Sequence, residues 1–176
     1  MSEIELGTDE LRAIAAYAVT CAEPALTLFE RDRPGDDRPR AAIDAARAFA
    51  DGGPRTKAIR DRAWAAQRAY QEARDAGQAA ASEAARSALA AASAAYLHPL
   101  AKATQVPHIL GAAAHAARAF ELDAHEETVG DEYVGKARGL AGPVVVDVLG
   151  RYPAAPPGRG RVGELVRRLD TSLRGR

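Results

Sequence analysis

The segment from Ala79 to Ala95 reads AAASEAARSALAAASAA and decides the fold class of the chain. Alanines recur in it at steps of three and four residues, at Ala80, Ala84, Ala88, Ala91 and Ala95. This spacing places them on one face of an α-helix, and alanine is the best helix former and a poor strand former. The segment therefore predicts a helix that packs closely against its neighbours through small side chains.

The same spacing recurs near the N-terminus. Thr8, Asp9 and Glu10 read as a helix cap with an acidic first turn. Apolar residues then follow at steps of three and four, at Leu11, Ile14, Ala18, Cys21, Ala25 and Leu28. Because this stripe passes through Pro24, which has no N–H to donate, we expect a kinked helix or two nearly collinear helices there.

The remaining helices are predicted from periodicity between proline and glycine breaks. They run from about Arg38 to Asp51, on both sides of Gly77 between Pro54 and Leu97, from His108 to about Leu122, twice between Thr128 and Leu149, and from Val162 to Leu173. We therefore predict an all-α fold of about seven to nine helices. We expect a single-domain multi-helix bundle over residues 1–176, with C-terminal helices over 128–176 and a Pro/Gly loop at 153–160. A stack of antiparallel helix pairs is the alternative architecture.

Composition excludes several classes of protein. Lys+Arg and Asp+Glu both total 24, so the net charge is zero and the chain lacks the general positive field of a nucleic-acid-binding protein. The N-terminus lacks the basic and apolar regions of a signal peptide, and no uncharged run reaches membrane-spanning length. We expect a cytoplasmic protein that binds neither nucleic acid nor a membrane.

The histidines and the single cysteine do not form a recognisable chemical site. His108 and His115 share a helix face but lack a third ligand, and Glu121 and His125 have the wrong spacing for a carboxylate-bridged metal bundle. Cys21 lies on the apolar stripe, which predicts a buried, inert thiol. We therefore predict no metal and no cofactor, and no residue receives a catalytic role.

The strongest site candidate is the sequence Asp36-Asp37-Arg38-Pro39-Arg40, which follows a Pro-Gly turn and opens a helix. Carboxylates suit a helix N-terminus, whereas Arg38 and Arg40 oppose the helix dipole unless a carboxylate or a bound anion lies beside them. Two interpretations follow. Asp36 and Asp37 pair with the two arginines and pin an interhelical turn, or the corner binds a ligand or partner.

Three further residues are binding candidates. His98 lies at a helix break before Pro99, where it either caps a helix C-terminus or faces a cavity. Tyr17 and Trp64 are large amphipathic residues in an alanine-rich chain, and they either fill the core or line a ligand site. The complete set of predicted binding residues is Asp36, Asp37, Arg38, Arg40, His98, Tyr17 and Trp64.

Several segments resemble the signature of the bacterial putative immunity proteins, a family likened to the type-five immunity proteins of polymorphic toxin systems. The similar segments are residues 21–30, 36–43, 46–49, 94–106 and 111–118, within a family-like core of about 9–122. The resemblance implies an all-helical cytoplasmic domain that neutralises a toxin by binding it. No catalytic residue is carried over from the family.

Two functions from different classes remain. The first is an immunity-type binding protein whose Asp36–Arg40 corner and neighbouring faces engage a cognate toxin. The second is a small-molecule-binding protein or enzyme whose pocket is lined by Asp37, Arg38, Arg40 and His98, with Tyr17 or Trp64, and takes a small anionic ligand. An exposed surface of mixed charge favours the first, whereas a concave pocket with buried acid, guanidinium and imidazole groups favours the second. Both functions are compatible with a homodimer.

Overall fold

The fold was analysed in a computed structural model, which describes residues 2–158 and 160–175. Met1, Arg159 and Arg176, which belong to the predicted domain and its Pro/Gly loop, lie outside the described residues. Nine α-helices occur in the described part of the chain: α1 (Thr8–Ala22), α2 (Leu26–Asp32), α3 (Arg38–Ala50), α4 (Lys57–Asp75), α5 (Ala79–Ser93), α6 (Val106–Ala124), α7 (Glu127–Leu140), α8 (Pro143–Gly150) and α9 (Gly160–Arg174).

The all-α prediction is confirmed. Residues 2–158 and 160–175 contain no strand, and their only β-type pairing is an isolated antiparallel bridge between Glu3 and Leu100. The valine run 144–146 is helical, as predicted, and lies in α8. Gly77 separates α4 from α5 with a φ of 74°, a left-handed conformation that glycine adopts without strain.

Helix α5 lies at the centre of the molecule. It packs most extensively against α4 and α6 and also contacts α1, α2 and α3. Four alanines of the predicted stripe are completely buried, Ala84, Ala88, Ala91 and Ala95, and Ala80 at the helix start is half-buried. Small side chains let the neighbouring helices come close, and the buried Ser87 hydroxyl donates a 2.6 Å hydrogen bond to the Ala112 carbonyl of α6.

The helix is interrupted at Pro24, where the sequence predicted a kinked helix or two nearly collinear helices. α1 ends at Ala22, one 3-10 turn spans Glu23–Ala25, and α2 begins at Leu26. Tyr133 of α7 reaches this bend and donates its hydroxyl to the Cys21 carbonyl at 2.6 Å. In return, Tyr17 of α1 donates to the Ala137 carbonyl of α7 at 3.0 Å. The two tyrosines thus tie α1 and α7 together through a reciprocal pair of buried hydrogen bonds.

The C-terminal helix is held to the rest of the molecule by a buried ion cluster. Glu121 of α6 has only 1% of its side chain exposed and pairs with Arg161 of α9 at 2.6 Å and with Arg118 at 3.0 Å. Arg161 also reaches Asp131 of α7 at 3.0 Å. Gly130 makes room for the carboxylate, because a Cβ at that position would lie 2.1 Å from Glu121 Oε1.

Candidate functional site

The two arginines of the corner are already paired within the protein. Arg38 binds Asp36 through two hydrogen bonds of 2.9 and 2.7 Å, and it binds Glu72 of α4 through two of 3.1 and 2.6 Å. The hydrogen bonds from Arg38 lower the pKa of both carboxyl groups. The corner therefore joins the α2–α3 loop to the C-terminal end of α4.

Arg40 and Asp37 do not pair with each other as the turn-pinning interpretation expected. Arg40 instead binds Glu30 of α2, with Nη2 lying 3.0 Å from Oε2. Asp37 is exposed and makes no capping hydrogen bond to α3. Asp36 takes that role, accepting the Arg38 backbone N–H at 3.3 Å. The pairing of the two arginines with Glu30 and Glu72 was not predicted from the sequence, because both carboxylates come from other helices.

His98 lies at the opposite end of α4 from this corner. It follows Tyr96, whose hydroxyl donates to the carbonyl of Thr56 at the start of α4, whereas Arg38 contacts Glu72 near the helix end. These two ends are separated by about 24 Å at 1.5 Å per residue. His98 is exposed, and its loop is held by the Gln105 side chain and by Tyr152. The predicted Asp/Arg/His residues therefore form two separate groups and do not line one pocket.

The two large aromatic candidates have different environments. Tyr17 is a buried core residue. Trp64 does not fill the core, which was one of the two roles that its residue type allowed, since 56% of it is exposed. The reason is its place on α4: the buried face runs through Ala63, Ala66 and Ala73, and the next residue after Ala63 is turned about 100° away from it.

Trp64 stands at the edge of a shallow groove above α5, which we call the Trp64 groove. The groove consists of three depressions, of which two, of 330 and 290 Å³, share Leu89, Ser93 and His108. One wall comes from α4, with Arg60, Trp64 and Gln67, and the other from α6 and α9, with His108, Gly111, His115, Val162 and Val166. A third depression of 410 Å³ continues past Arg86 toward Tyr70 and Arg118.

The groove carries cations that lack a carboxylate partner. The Arg60 guanidinium lies 4.8 Å from the centre of the Tyr96 ring, and that of Arg86 lies 5.2 Å from the centre of the Tyr70 ring. Within residues 2–158 and 160–175, neither guanidinium forms an ion pair. Most other arginines of the described chain are paired, so these two are available to a partner.

The two histidines of the groove lie in different surroundings. Burial lowers the pKa of His108, which keeps its imidazole neutral at neutral pH. The His115 Nδ1 lies 2.7 Å from Glu83 Oε2, so the one acidic side chain among these linings is already engaged. The positive character of the groove thus comes from arginine, whose charge does not change with physiological pH.

A second groove of 610 Å³ lies beside the Pro24 kink. It is mainly apolar and includes Phe120, Tyr133 and Leu140, with Glu132 and Lys136 at its edge. Leu140 is half exposed. Unlike the Trp64 groove, this one has no arginine among its lining residues.

The Trp64 groove was only partly visible in the sequence. Trp64 was identified, but Arg60, Arg86, Tyr96 and His108 were not linked to it. A usable signal was present on α4, where Arg60, Trp64 and Gln67 recur at steps of four and three on a face distinct from the alanine stripe. Their partners on α5 and α6 come together only through tertiary packing.

A family of known proteins matches most of the chain. A family model described as "Imm-5 like putative immunity protein" matches residues 5–140. The chain belongs to this family. The Imm-5 like match is wider than the 9–122 core suggested by the sequence segments, and it includes α1 to α7 with both walls of the groove except the α9 residues.

Comparison with curated proteins and with solved structures identifies no similar protein. In the described portion, no helix combines the length and apolar character needed to cross a membrane. The same residues place no three His, Cys, Asp or Glu side chains together as a metal site.

Proposed function

We propose that this chain is an immunity-type binding protein that neutralises a partner toxin in the cytoplasm by non-covalent association. Membership of the Imm-5 like family supports the role. The binding surface is inferred from one observation, the exposed Trp64 beside Arg60 and Arg86, which form no ion pair among the described residues. Tryptophan, tyrosine and arginine are the residues enriched at the energetic centres of protein interfaces.

The Asp36–Arg40 corner is a second contact in this proposal. Asp37 is exposed and Arg40 has 43% of its side chain accessible, so both can reach a partner without breaking the links from Arg38 to Asp36 and Glu72. The corner contacts the C-terminal end of α4, where the third depression of the groove also lies. His98 remains a candidate contact at the other end of α4, whereas the buried Tyr17 supports the fold beneath the surface.

The alternative function, a small-molecule site lined by Asp37, Arg38, Arg40 and His98, has less support. Its residues lie in two groups at opposite ends of α4, and Arg38 already makes four hydrogen bonds to two carboxylates. A small anionic ligand would have to displace Asp36 or Glu72 before it could bind Arg38.

The test is co-expression of the chain with each toxin domain encoded beside its gene, followed by calorimetry on the purified pair. We expect rescue of growth by the parent chain and a stoichiometric complex. Trp64→Ala should weaken binding by at least tenfold, because removing an interface anchor typically costs about 2 kcal/mol or more. Leu140→Ala is the matched control, since it truncates the exposed apolar residue of the other groove. If the parent chain neither binds nor protects, the proposal is wrong.

A further inference from the structure

We infer that the Trp64 groove receives an acidic amphipathic α-helix. The inference rests on the proposed function, because the helix would belong to the partner toxin. It specifies what the partner must present: an apolar stripe about three turns long, with carboxylates on its flanks.

The shape of the groove fits a helix lying along α5. Its floor is the outer stripe of α5, which runs from Ser82 through Arg86 and Leu89 to Ser93. This stripe extends about 17 Å at 1.5 Å per residue, the length of three helical turns. Helices α4 and α6 form walls on both sides of it, and such grooves accept helices whose anchors recur at i, i+3 or i+4, and i+7.

Apolar side chains are available at intervals along this path. Trp64 stands on the α4 wall, Leu89 lies on the floor, and Val162 and Val166 of α9 close the opposite side. The Trp64 ring is the largest exposed apolar group that the groove offers. A helix with leucine-sized residues on one face would cover these groups and remove them from water.

Charge selects an acidic helix over a basic one. Arg60 and Arg86 face the groove without an ion-pair partner among the described residues, and each is held in place by a tyrosine ring. The other charged groups facing it already have partners: the Glu83 carboxylate lies 2.7 Å from His115 Nδ1, Arg118 pairs with Glu121, and Arg74 pairs with Asp75. Carboxylates on the incoming helix would therefore meet two free guanidinium groups that can bind them through paired hydrogen bonds.

The tryptophan itself provides the assay, because it is the only one in the chain. The probe is a stapled helical peptide of about 14 residues, with leucines on one face, glutamates on the others and no aromatic residue; stapling removes the ordering cost of binding. We expect a saturable blue shift of Trp64 emission as its ring leaves water. The same peptide with lysine in place of glutamate should bind at least tenfold more weakly.

Charge-reversal variants locate the contact. Arg86→Glu and Arg60→Glu should each weaken peptide binding at least tenfold. Arg86→Gln, which removes the charge without reversing it, should weaken binding in the same direction. Arg62→Glu is the matched control, because Arg62 is an exposed residue of the same helix α4 and is not among the groove residues; it should stay within twofold. Circular dichroism of every variant establishes that it is folded.

The outcomes separate the two proposals. No emission change with the acidic peptide, equal binding of acidic and basic peptides, or equal effects of Arg62→Glu and Arg86→Glu would each overturn the acidic-helix inference. Toxin binding that survives Arg60→Glu and Arg86→Glu would also overturn it and leave the proposed function standing. Failure of the parent chain to bind any toxin would refute the proposed function whatever the peptide does.

Discussion

At the scale of single residues, tyrosine compensates for the shortage of large side chains. Only 5% of the chain is aromatic, and four of the five tyrosines donate their hydroxyl to a backbone carbonyl of another segment. Each one adds apolar area together with a directed hydrogen bond. Tyr133 is the clearest case, because its acceptor is a carbonyl at the Pro24 bend, where regular helical bonding is interrupted.

Tyr133→Phe is expected to destabilise the protein by about 1 to 2 kcal/mol, because it leaves the buried Cys21 carbonyl without this donor. Urea denaturation followed by circular dichroism measures the change. Tyr70→Phe is the control, since the Tyr70 hydroxyl is bonded only to exposed Arg74 at 3.4 Å in the described structure, and its effect should stay within about 0.5 kcal/mol. Equal stabilities of Tyr133→Phe and the parent would show that the bend needs no such donor.

Gly130 is a second residue whose role depends on one contact. Helix propensity alone predicts that Gly130→Ala stabilises α7 by about 1 kcal/mol. The new Cβ would lie 2.1 Å from Glu121 Oε1, and that carboxylate cannot move freely because Arg161 and Arg118 hold it. We expect a net loss of about 1 to 3 kcal/mol in chemical denaturation, as in other overpacked sites.

Gly135→Ala, in the same helix, is expected to change the free energy of unfolding in the opposite direction. Nothing lies within 4 Å of a Cβ at Gly135, so propensity acts alone and the variant should be more stable than the parent. A stabilised Gly130→Ala variant would mean that the Glu121 cluster can rearrange at little cost.

At the scale of helices, charged residues near element ends act as links between helices. Arg38 begins α3, yet it joins the preceding loop to α4 through Asp36 and Glu72. Arg40 connects α3 to α2 through Glu30 in the same way. These links resolve the unfavourable placement of two cations in a first helical turn, because carboxylates lie directly beside them.

Asp36→Asn tests the first of these links through its pH dependence. The pKa of Asp36 is lowered in the folded protein by its hydrogen bonds from Arg38, so its ionised form stabilises the fold. This contribution is fully present above the unfolded pKa of about 4 and is lost as the pH falls through the lower folded value. We expect the variant to lose about 1 to 2 kcal/mol at pH 7 and the difference from the parent to shrink below pH 4.

Asp37→Asn is the matched control for this prediction. The sequence predicts that Asp37 stabilises the start of α3. Its side chain is exposed, however, and makes no capping hydrogen bond. The stability of the variant should therefore match that of the parent within about 0.5 kcal/mol at pH 7. A loss at Asp37 as large as that at Asp36 would contradict the assignment of the link to Asp36.

At the scale of the whole molecule, α9 completes a structure whose family-matched part ends at residue 140. Leu165, Leu169 and Leu173 of α9 are completely buried, and Arg161 supplies the counter-charge for the buried Glu121. The same helix contributes Val162 and Val166 to the Trp64 groove. Loss of α9 docking would thus affect both the core and the proposed binding surface.

Arg161→Met is expected to destabilise the protein by about 3 kcal/mol, because it leaves a buried carboxylate with Arg118 as its remaining partner. Arg168→Met is the control on the same helix, since Arg168 is half exposed and its change should stay within about 0.5 kcal/mol. Thermal and urea unfolding of the two variants give the comparison. Equal stabilities would indicate that apolar contacts alone hold α9 in place.

The sequence by itself determined the all-α fold, the helix interruption at Pro24, the break at Gly77 and the buried faces of α1 and α5. These are local properties, because apolar spacing and the backbone limits of proline and glycine act within a few residues. Only the tertiary structure decided which faces meet. Glu30 and Glu72 became the partners of Arg40 and Arg38, Glu121 was buried beneath α9, and Trp64 was left exposed over α5. Periodicity places a side chain on one side of its helix, whereas its partner depends on how helices distant in sequence pack together.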